Sequence, residues 1–177
     1  MTERARAEPV AATLPDILST GLSVIFCGIN PGLPAATVGH HFAGRSNRFL
    51  RTLHLAGFTP HEIRPENDRD ILKYRCGLTT VVPRATVSAD QLARREFVAA
   101  AKGFERKIRR YAPRQVAFLG KVAYARLTQQ RKVDWGLQPD SFGGVGAWVL
   151  PNPSGLNRAF RLVDLVAAYR KLRIAID

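Results

Sequence analysis

Two short apolar runs, residues 24–27 and 147–150, each end in a loop rich in proline and glycine. Apolar runs of this length, bounded by Gly and Pro, are typical of buried strands in a parallel sheet. Further strands are predicted over 77–82 and 115–119, with amphipathic segments between them. This alternation predicts an α/β fold with three layers, α/β/α, around a central, mostly parallel sheet.

Of the predicted helices, three are indicated by the spacing of apolar residues, over 47–56, 89–111 and 160–172; shorter helices are predicted near 70–74 and after Gly120-Lys121 through Leu127. The second is a long helix that begins directly after Ser88. In the last helix, apolar residues recur at helical spacing and are expected to face the core. They are Leu162, Val163, Leu165, Val166 and Tyr169.

The loops 28–32 and 151–155 both follow directly after predicted strands. Ligands of open parallel sheets bind beyond the carboxyl ends of the strands, so the two loops are expected to share one site. Gly28 lets the backbone approach a ligand, and the amide of Asn30 can both donate and accept hydrogen bonds. An Asn before Pro is also a common turn residue, and this motif alone leaves that alternative open.

Two apolar side chains near these loops are candidates for contacting a nucleobase. Phe42 offers a flat face for stacking, which is worth about 1–3 kcal/mol per base. Leu156 lies beside Arg158 in the second loop, a pairing that suits insertion into a base stack. The alternatives are that Phe42 belongs to the core, that Leu156 packs on the last helix, and that Arg158 is surface charge.

The charge of the chain favours a polyanionic partner. Lys and Arg number 27 and Asp and Glu number 14, which gives a net charge of +13. Such a surface attracts nucleic acid through counterion release from phosphates. The alternative is that a generally Arg-rich, basic proteome explains the excess, because Arg far outnumbers Lys.

The cysteines and histidines predict no metal site. Cys27 and Cys76 lie far apart, which excludes a disulfide scaffold and a zinc finger. The adjacent His40 and His41 lack further ligands at suitable spacing. We therefore expect neither a metal nor a cofactor.

Residues 1–12 are polar and Ala-rich, contain Arg4 and Arg6, and are predicted to form a flexible basic tail before a single domain over 13–177. No apolar segment of the kind found in a secretory signal follows, and no run is long enough to span a bilayer. The expected protein is a monomer in the cytoplasm, associated with the nucleoid, with no membrane partner.

Four motifs together resemble the mismatch-specific uracil-DNA glycosylase family, relatives of eukaryotic thymine-DNA glycosylase. The resemblance extends over residues 16–172. It implies a three-layer α/β/α fold and a DNA glycosylase of base excision repair, which hydrolyses the N-glycosidic bond of uracil mispaired with guanine in double-stranded DNA. Thymine and alkylated bases are further candidate substrates. The motifs are Gly28-Ile29-Asn30-Pro31-Gly32-Leu33, Gly39-His40-His41-Phe42, Asn47-Arg48-Phe49 and Pro151-Asn152-Pro153-Ser154-Gly155-Leu156.

Matched position by position, the resemblance implies a role for each main site residue. Asn30 would hold the attacking water, and Asn152 would line the site opposite it. Phe42 would stack on the flipped base. Leu156 would fill the space that the base leaves, and Arg158 would contact the orphaned guanine or the nearby backbone.

Five further residues complete the predicted site. Gly28 and Ile29 would help to bind the base, and Gly155 and Asn157 would contact DNA beside the wedge. Asp90, near the start of the predicted long helix, is a candidate to assist the water. The alternative is that Asp90 is a helix-start carboxylate favoured by the helix dipole.

Neither strand-end motif contains a lysine, so a Schiff-base lyase step is not expected and the enzyme would be monofunctional. Thr80 stands where the bacterial members of that family often have Lys, and Asn157 replaces a small Ser; both departures are expected to alter DNA contacts. The alternative function is a non-catalytic DNA-binding module that keeps the fold. A nucleotide-binding enzyme of the doubly wound type is disfavoured by the net charge and by Leu156.

Overall fold

The structure is a computed structural model, and it describes residues 13–177. The predicted tail over 1–12 lies outside the described residues. Five strands form one sheet in the order β2-β1-β3-β5-β4, in which only the β4–β5 pairing is antiparallel. The strands are β1 Val24–Gly28, β2 Cys76–Thr80, β3 Gln115–Leu119, β4 Gly136–Leu137 and β5 Gly146–Leu150.

Helices cover both faces of this sheet. Alternate residues of β1 point to opposite faces, because side chains alternate along a strand. Phe26 belongs to a core cluster with residues of α2 (Phe49–Ala56) and α5 (Leu162–Ala175). Cys27 belongs to a second cluster with residues of α3 (Arg94–Tyr111) and α4 (Lys121–Thr128). The predicted three-layer α/β/α fold is thereby confirmed. The α-helices are α1 Leu33–Val38, α2 Phe49–Ala56, α3 Arg94–Tyr111, α4 Lys121–Thr128 and α5 Leu162–Ala175, and 3₁₀ helices span Pro65–Tyr74 and Ala89–Gln91.

The predicted long helix over 89–111 is wrong at its start. The chain forms the short 3₁₀ helix after Ser88, becomes extended at Leu92 and Ala93, and only then enters α3. The cause is a second helix start inside the predicted segment. The carboxylate of Glu96 accepts a 2.8 Å hydrogen bond from the backbone N–H of Ala93, which caps α3.

The prediction that Val163 faces the core is also wrong, since its side chain is 61% exposed. The buried face of α5 is formed by Leu165, Tyr169 and Leu172, which are spaced by four and three residues. Val163 lies outside that stripe. No helix within residues 13–177 is both long and apolar enough to cross a bilayer.

The four parallel strands end at the same edge of the sheet. Gly28 of β1 pairs with Thr80 of β2, and Leu119 of β3 pairs with Leu150 of β5. The loops that follow these strands therefore meet, as expected for an open parallel sheet.

Candidate active site

A cavity of about 300 Å³ lies at the carboxyl edge of the sheet. Its volume is at the lower end of the range for small-molecule sites. The loops after β1 and β5 both contribute to it, which confirms that the two strand-end motifs converge. The predicted site residues that line the cavity are Gly28, Ile29, Asn30, Phe42, Asn152, Gly155 and Leu156.

The side-chain amide of Asn30 is held in one orientation. Its nitrogen Nδ2 donates to the carbonyl oxygen of Arg84 at 2.8 Å and to Thr86 Oγ1 at 2.7 Å. A carbonyl oxygen can only accept, so the NH₂ group must face Arg84. The oxygen Oδ1 makes no hydrogen bond to residues 13–177 and is available as an acceptor.

The ring of Phe42 is stacked on the ring of Phe49, with centroids 3.9 Å apart and planes inclined by 26°. Phe42 is only partly buried and also lines the cavity. The two alternatives from the sequence are thus both true in part: the ring packs against the core and is also available to the cavity. A planar ligand can stack there.

The backbone of Phe42 has a φ of 59°, which is costly for a residue with a side chain, by about 1–3 kcal/mol. The preceding residue supplies the restraint. The backbone N–H of His41 donates to Asp68 Oδ2 at 2.8 Å, and His41 Nε2 lies 2.8 Å from the carbonyl oxygen of Pro15. Asp68 is buried, with 3% of its surface exposed, so this contact holds the strained turn against the 3₁₀ helix Pro65–Tyr74.

Asn152 shapes the start of the loop after β5. Its Oδ1 accepts a 2.9 Å hydrogen bond from the backbone N–H of Ser154. Its carbonyl oxygen accepts a 2.9 Å bond from Asn157 Nδ2. The side-chain nitrogen Nδ2 of Asn152 has no hydrogen-bond acceptor among the described residues, so it can donate to a ligand in the cavity.

Residues 153–160, here called the wedge loop, lie beside the segment that contains Ser46. A side chain at Gly155 would collide with Ser46, whose carbonyl oxygen would lie 2.7 Å from the added Cβ. Glycine is therefore required by close packing. The next residue, Leu156, is 70% exposed, which excludes the alternative that it is buried against the last helix.

Three of the predicted site residues do not line the cavity: Asp90, Asn157 and Arg158. Asp90 is exposed on its 3₁₀ helix, whereas its neighbours Ser88 and Ala89 line the cavity. Arg158 is exposed in the wedge loop. The Asn157 side chain braces the loop through its bond to Asn152 and by accepting from the Ala159 N–H at 3.3 Å.

Sequence reasoning missed the segment after β2, although the same strand-end rule applies to it. Thr80 and Thr86 both line the cavity, and Thr86 holds Asn30. The backbone of Thr86 is tied to the first motif, because its N–H donates to the Pro31 carbonyl at 3.1 Å. Asp68 was missed as well, since nothing in its local pattern marks a buried carboxylate.

An ion pair beside this segment fixes Arg84. Its guanidinium contacts both carboxylate oxygens of Glu96, at 2.7 and 3.0 Å. These bonds and the Ala93 N–H lower the pKa of Glu96 to about 2. The charged pair thereby anchors the residue whose carbonyl oxygen orients Asn30.

The thiols are not poised to act as nucleophiles. Burial raises the pKa of Cys27 far above its ordinary value and that of Cys76 to about 12.

Across residues 13–177, no group of three His, Cys, Asp or Glu side chains could hold a metal ion. The cavity offers amides, hydroxyls and an aromatic ring instead.

The fold and the sequence of this chain are each similar to those of known proteins. Among solved structures, the chain is similar to a Methanosarcina acetivorans protein, determined by solution NMR and designated a candidate uracil DNA glycosylase. The TM-score is 0.64 and the identity 20%, over 92% of this chain and 98% of that one, so this likeness shows the fold alone. The sequence model of the Uracil DNA glycosylase superfamily matches residues 15–173. This match covers almost all of the described chain, and we conclude that the chain belongs to the uracil-DNA glycosylase superfamily.

Proposed function

We propose that this protein is a monofunctional, mismatch-specific DNA glycosylase. It flips uracil that is mispaired with guanine out of double-stranded DNA and hydrolyses the N-glycosidic bond, the first step of base excision repair. Members of the superfamily are DNA glycosylases, and the proposal narrows that activity to one substrate class. The motifs at residues 28–33 and 151–156 support this choice.

The observation that carries the proposal is the fixed amide of Asn30. Because Nδ2 is bound to Arg84 and Thr86, Oδ1 is left to accept a hydrogen bond from a water molecule. That water would attack C1′ of the deoxyribose. The bond from C1′ to the base nitrogen breaks and its electron pair leaves with the base. The attacking water gives up one proton to the solvent, the departing base takes one up, and the products are free uracil and an abasic site.

The flipped base would stack on Phe42, whose ring is itself stacked on that of Phe49. The free amide nitrogen of Asn152 would donate to a carbonyl oxygen of the uracil ring. Gly28 and Ile29 complete the base-binding wall with backbone and a small apolar surface. Preorganised donors of this kind stabilise the negative charge on the departing base.

The exposed Leu156 would fill the gap in the duplex. Apolar wedges of this kind offset the few kcal/mol that unstacking costs. Arg158 and Asn157 would contact DNA beside the wedge, and the net charge of +13 would attract the duplex.

An asparagine is a weak base, so Asn30 positions water rather than deprotonating it, and we expect slow turnover.

Asp90 is proposed to assist only through reorganisation on DNA binding, since its side chain is exposed beside the cavity rather than lining it. Activity of an Asp90→Asn variant tests that part separately.

The experiment that tests the proposal uses labelled duplexes with a single U·G, T·G or U·A pair, followed by alkaline cleavage of abasic sites. Single-turnover excision is expected to be fastest on U·G. Binding to U·G duplex without cleavage would support the alternative, a non-catalytic DNA-binding module. Equal excision of U·G and U·A would contradict mismatch specificity.

A further inference from the structure

Arg48 lies directly before α2, yet its guanidinium reaches across to the wedge loop. It donates to the carbonyl oxygens of Pro153 at 3.3 Å, Ser154 at 3.0 Å, Asn157 at 2.9 Å and Phe160 at 2.6 Å. The backbone N–H of Arg48 also donates to the Pro153 carbonyl at 3.1 Å. One residue therefore binds the loop at both ends and in the middle.

These contacts use four hydrogen bonds from the five N–H donors of a guanidinium. Hydrogen bonds from a charged donor are shorter and about twice as strong as neutral ones. Within residues 13–177, Arg48 forms no ion pair with a carboxylate, so its charge is directed at the loop carbonyls. The planar fork of arginine suits several acceptors at once, whereas lysine is a point charge.

The other hydrogen bonds of the wedge loop join near neighbours in the sequence: Ser154 N–H and Asn157 Nδ2 donate to Asn152, Leu156 N–H donates to Ser154 Oγ, and Ala159 N–H donates to Asn157 Oδ1. The loop contains no helix or strand, and its remaining internal bonds include Asn157 N–H to the Ser154 carbonyl at 3.0 Å. Leu156 sits at the exposed part of the loop, between the Ser154 and Asn157 carbonyls that Arg48 binds. The position of Leu156 thus depends on a residue more than 100 positions earlier in the sequence.

We propose that Arg48 is a positioning residue for base extrusion, which holds the wedge loop in its inserting conformation before DNA binds. This inference rests on the proposed function, because it concerns the flipping step of the same reaction. A loop that is already ordered loses less conformational entropy on binding, so more of the contact free energy is left to offset unstacking. Arg48 itself does not line the cavity.

The proposal predicts different losses of excision for paired and for unpaired uracil. Without Arg48, Leu156 is less often in place, and the extruded base returns to the stack more readily. The loss should therefore be large for uracil in a base pair and small for uracil that is already unpaired. A residue that only stabilises the fold would slow both substrates equally.

The test compares Arg48→Met, Arg48→Lys and a matched control, Arg51→Met. Arg51 lies three residues further on and is exposed, and its side chain makes no hydrogen bond or ion pair in the part of the chain that the structure describes. Single-turnover excision is measured on duplexes with U·G and with uracil opposite an abasic-site analogue. Hydrogen exchange of peptides covering residues 153–160 is measured without DNA.

Arg48→Met is expected to slow excision of U·G about 10- to 100-fold, because hydrogen bonds to a charged group are worth about 1.5–3 kcal/mol. Its effect on unpaired uracil should be several-fold smaller. Arg48→Lys should recover part of the loss, and Arg51→Met should match the wild type. Exchange in 153–160 should rise most in Arg48→Met, rise less in Arg48→Lys and stay unchanged in Arg51→Met.

Equal losses on paired and unpaired uracil, or unchanged exchange in 153–160, would overturn the proposal. If Arg48→Met does not fold, Arg48→Lys carries the same comparison, because it keeps the charge but reaches fewer carbonyls. If the wild type excises no uracil at all, the proposed function has failed. The exchange measurement then still decides whether Arg48 orders the loop.

Discussion

The side-chain nitrogen of Asn30 donates a 2.7 Å hydrogen bond to the hydroxyl oxygen of Thr86, 56 positions later in the sequence. This bond and the one to the Arg84 carbonyl decide which end of the amide faces the cavity. The proposed water site is therefore built by two strand-end segments, the loop after β1 and the segment after β2.

Replacing Thr86 with valine removes the hydroxyl acceptor and keeps the β-branched shape. The amide of Asn30 then rotates more freely, and we expect single-turnover excision to fall about fivefold, which corresponds to one hydrogen bond of about 1 kcal/mol. Duplex affinity should change little. Thr37→Val is the control, since Thr37 is exposed and bonds only within α1. Unchanged excision by Thr86→Val would show that the orientation of Asn30 does not depend on this bond.

The buried carboxylate of Asp68 restrains the turn that carries Phe42. In Asp68→Ala, the His41 N–H loses its 2.8 Å acceptor, which should cost about 1–3 kcal/mol of unfolding free energy. The Phe42 ring should also be less well placed, which raises KM. Urea unfolding and steady-state kinetics measure both effects. Asp70→Asn, which breaks an exposed pair with Lys73, should alter neither, and equal effects of the two variants would contradict this account.

The exposed side chain of Leu156 is predicted to act in flipping rather than in bond cleavage. In Leu156→Ala, the base returns to the stack and the cost of unstacking is no longer offset. The deficit should be larger for U·G and U·A duplexes than for an unpaired uracil. Single-turnover excision on the three substrates measures this, with exposed Val163→Ala as control. Equal deficits on all three would show that Leu156 has no wedge function.

The ion pair between Arg84 and Glu96 gives a pH dependence with a definite sign. The pKa of Glu96 is lowered from 4.5 to about 2 in the folded protein. The carboxylate therefore stabilises the fold above about pH 4.5, and this stabilisation is lost as the pH falls towards 2. The gap in urea midpoint between wild type and Glu96→Gln should be widest near pH 7 and shrink below pH 4. A gap that does not vary with pH, or one equally large in exposed Glu62→Gln, would contradict this assignment.

The strand-end motifs could be predicted from sequence because short apolar runs followed by Gly and Pro have a local signature. Asn30 and Asn152 were found in that way. Asp68 and the role of Arg48 could not be found, because their partners are distant N–H and carbonyl groups that no local pattern reveals. The break before α3 was missed because Glu96 caps a helix inside an apparently continuous helical pattern.

The central claim is that Asn30 holds the attacking water. Its most direct test is single-turnover excision of uracil from a U·G duplex by Asn30→Ala, together with measured affinity for that duplex. Asn67→Ala, at an exposed position on the 3₁₀ helix Pro65–Tyr74, is the matched control. The account predicts that Asn30→Ala loses nearly all excision while its duplex affinity and the control's activity stay close to those of the wild type. Full single-turnover activity in Asn30→Ala would contradict it.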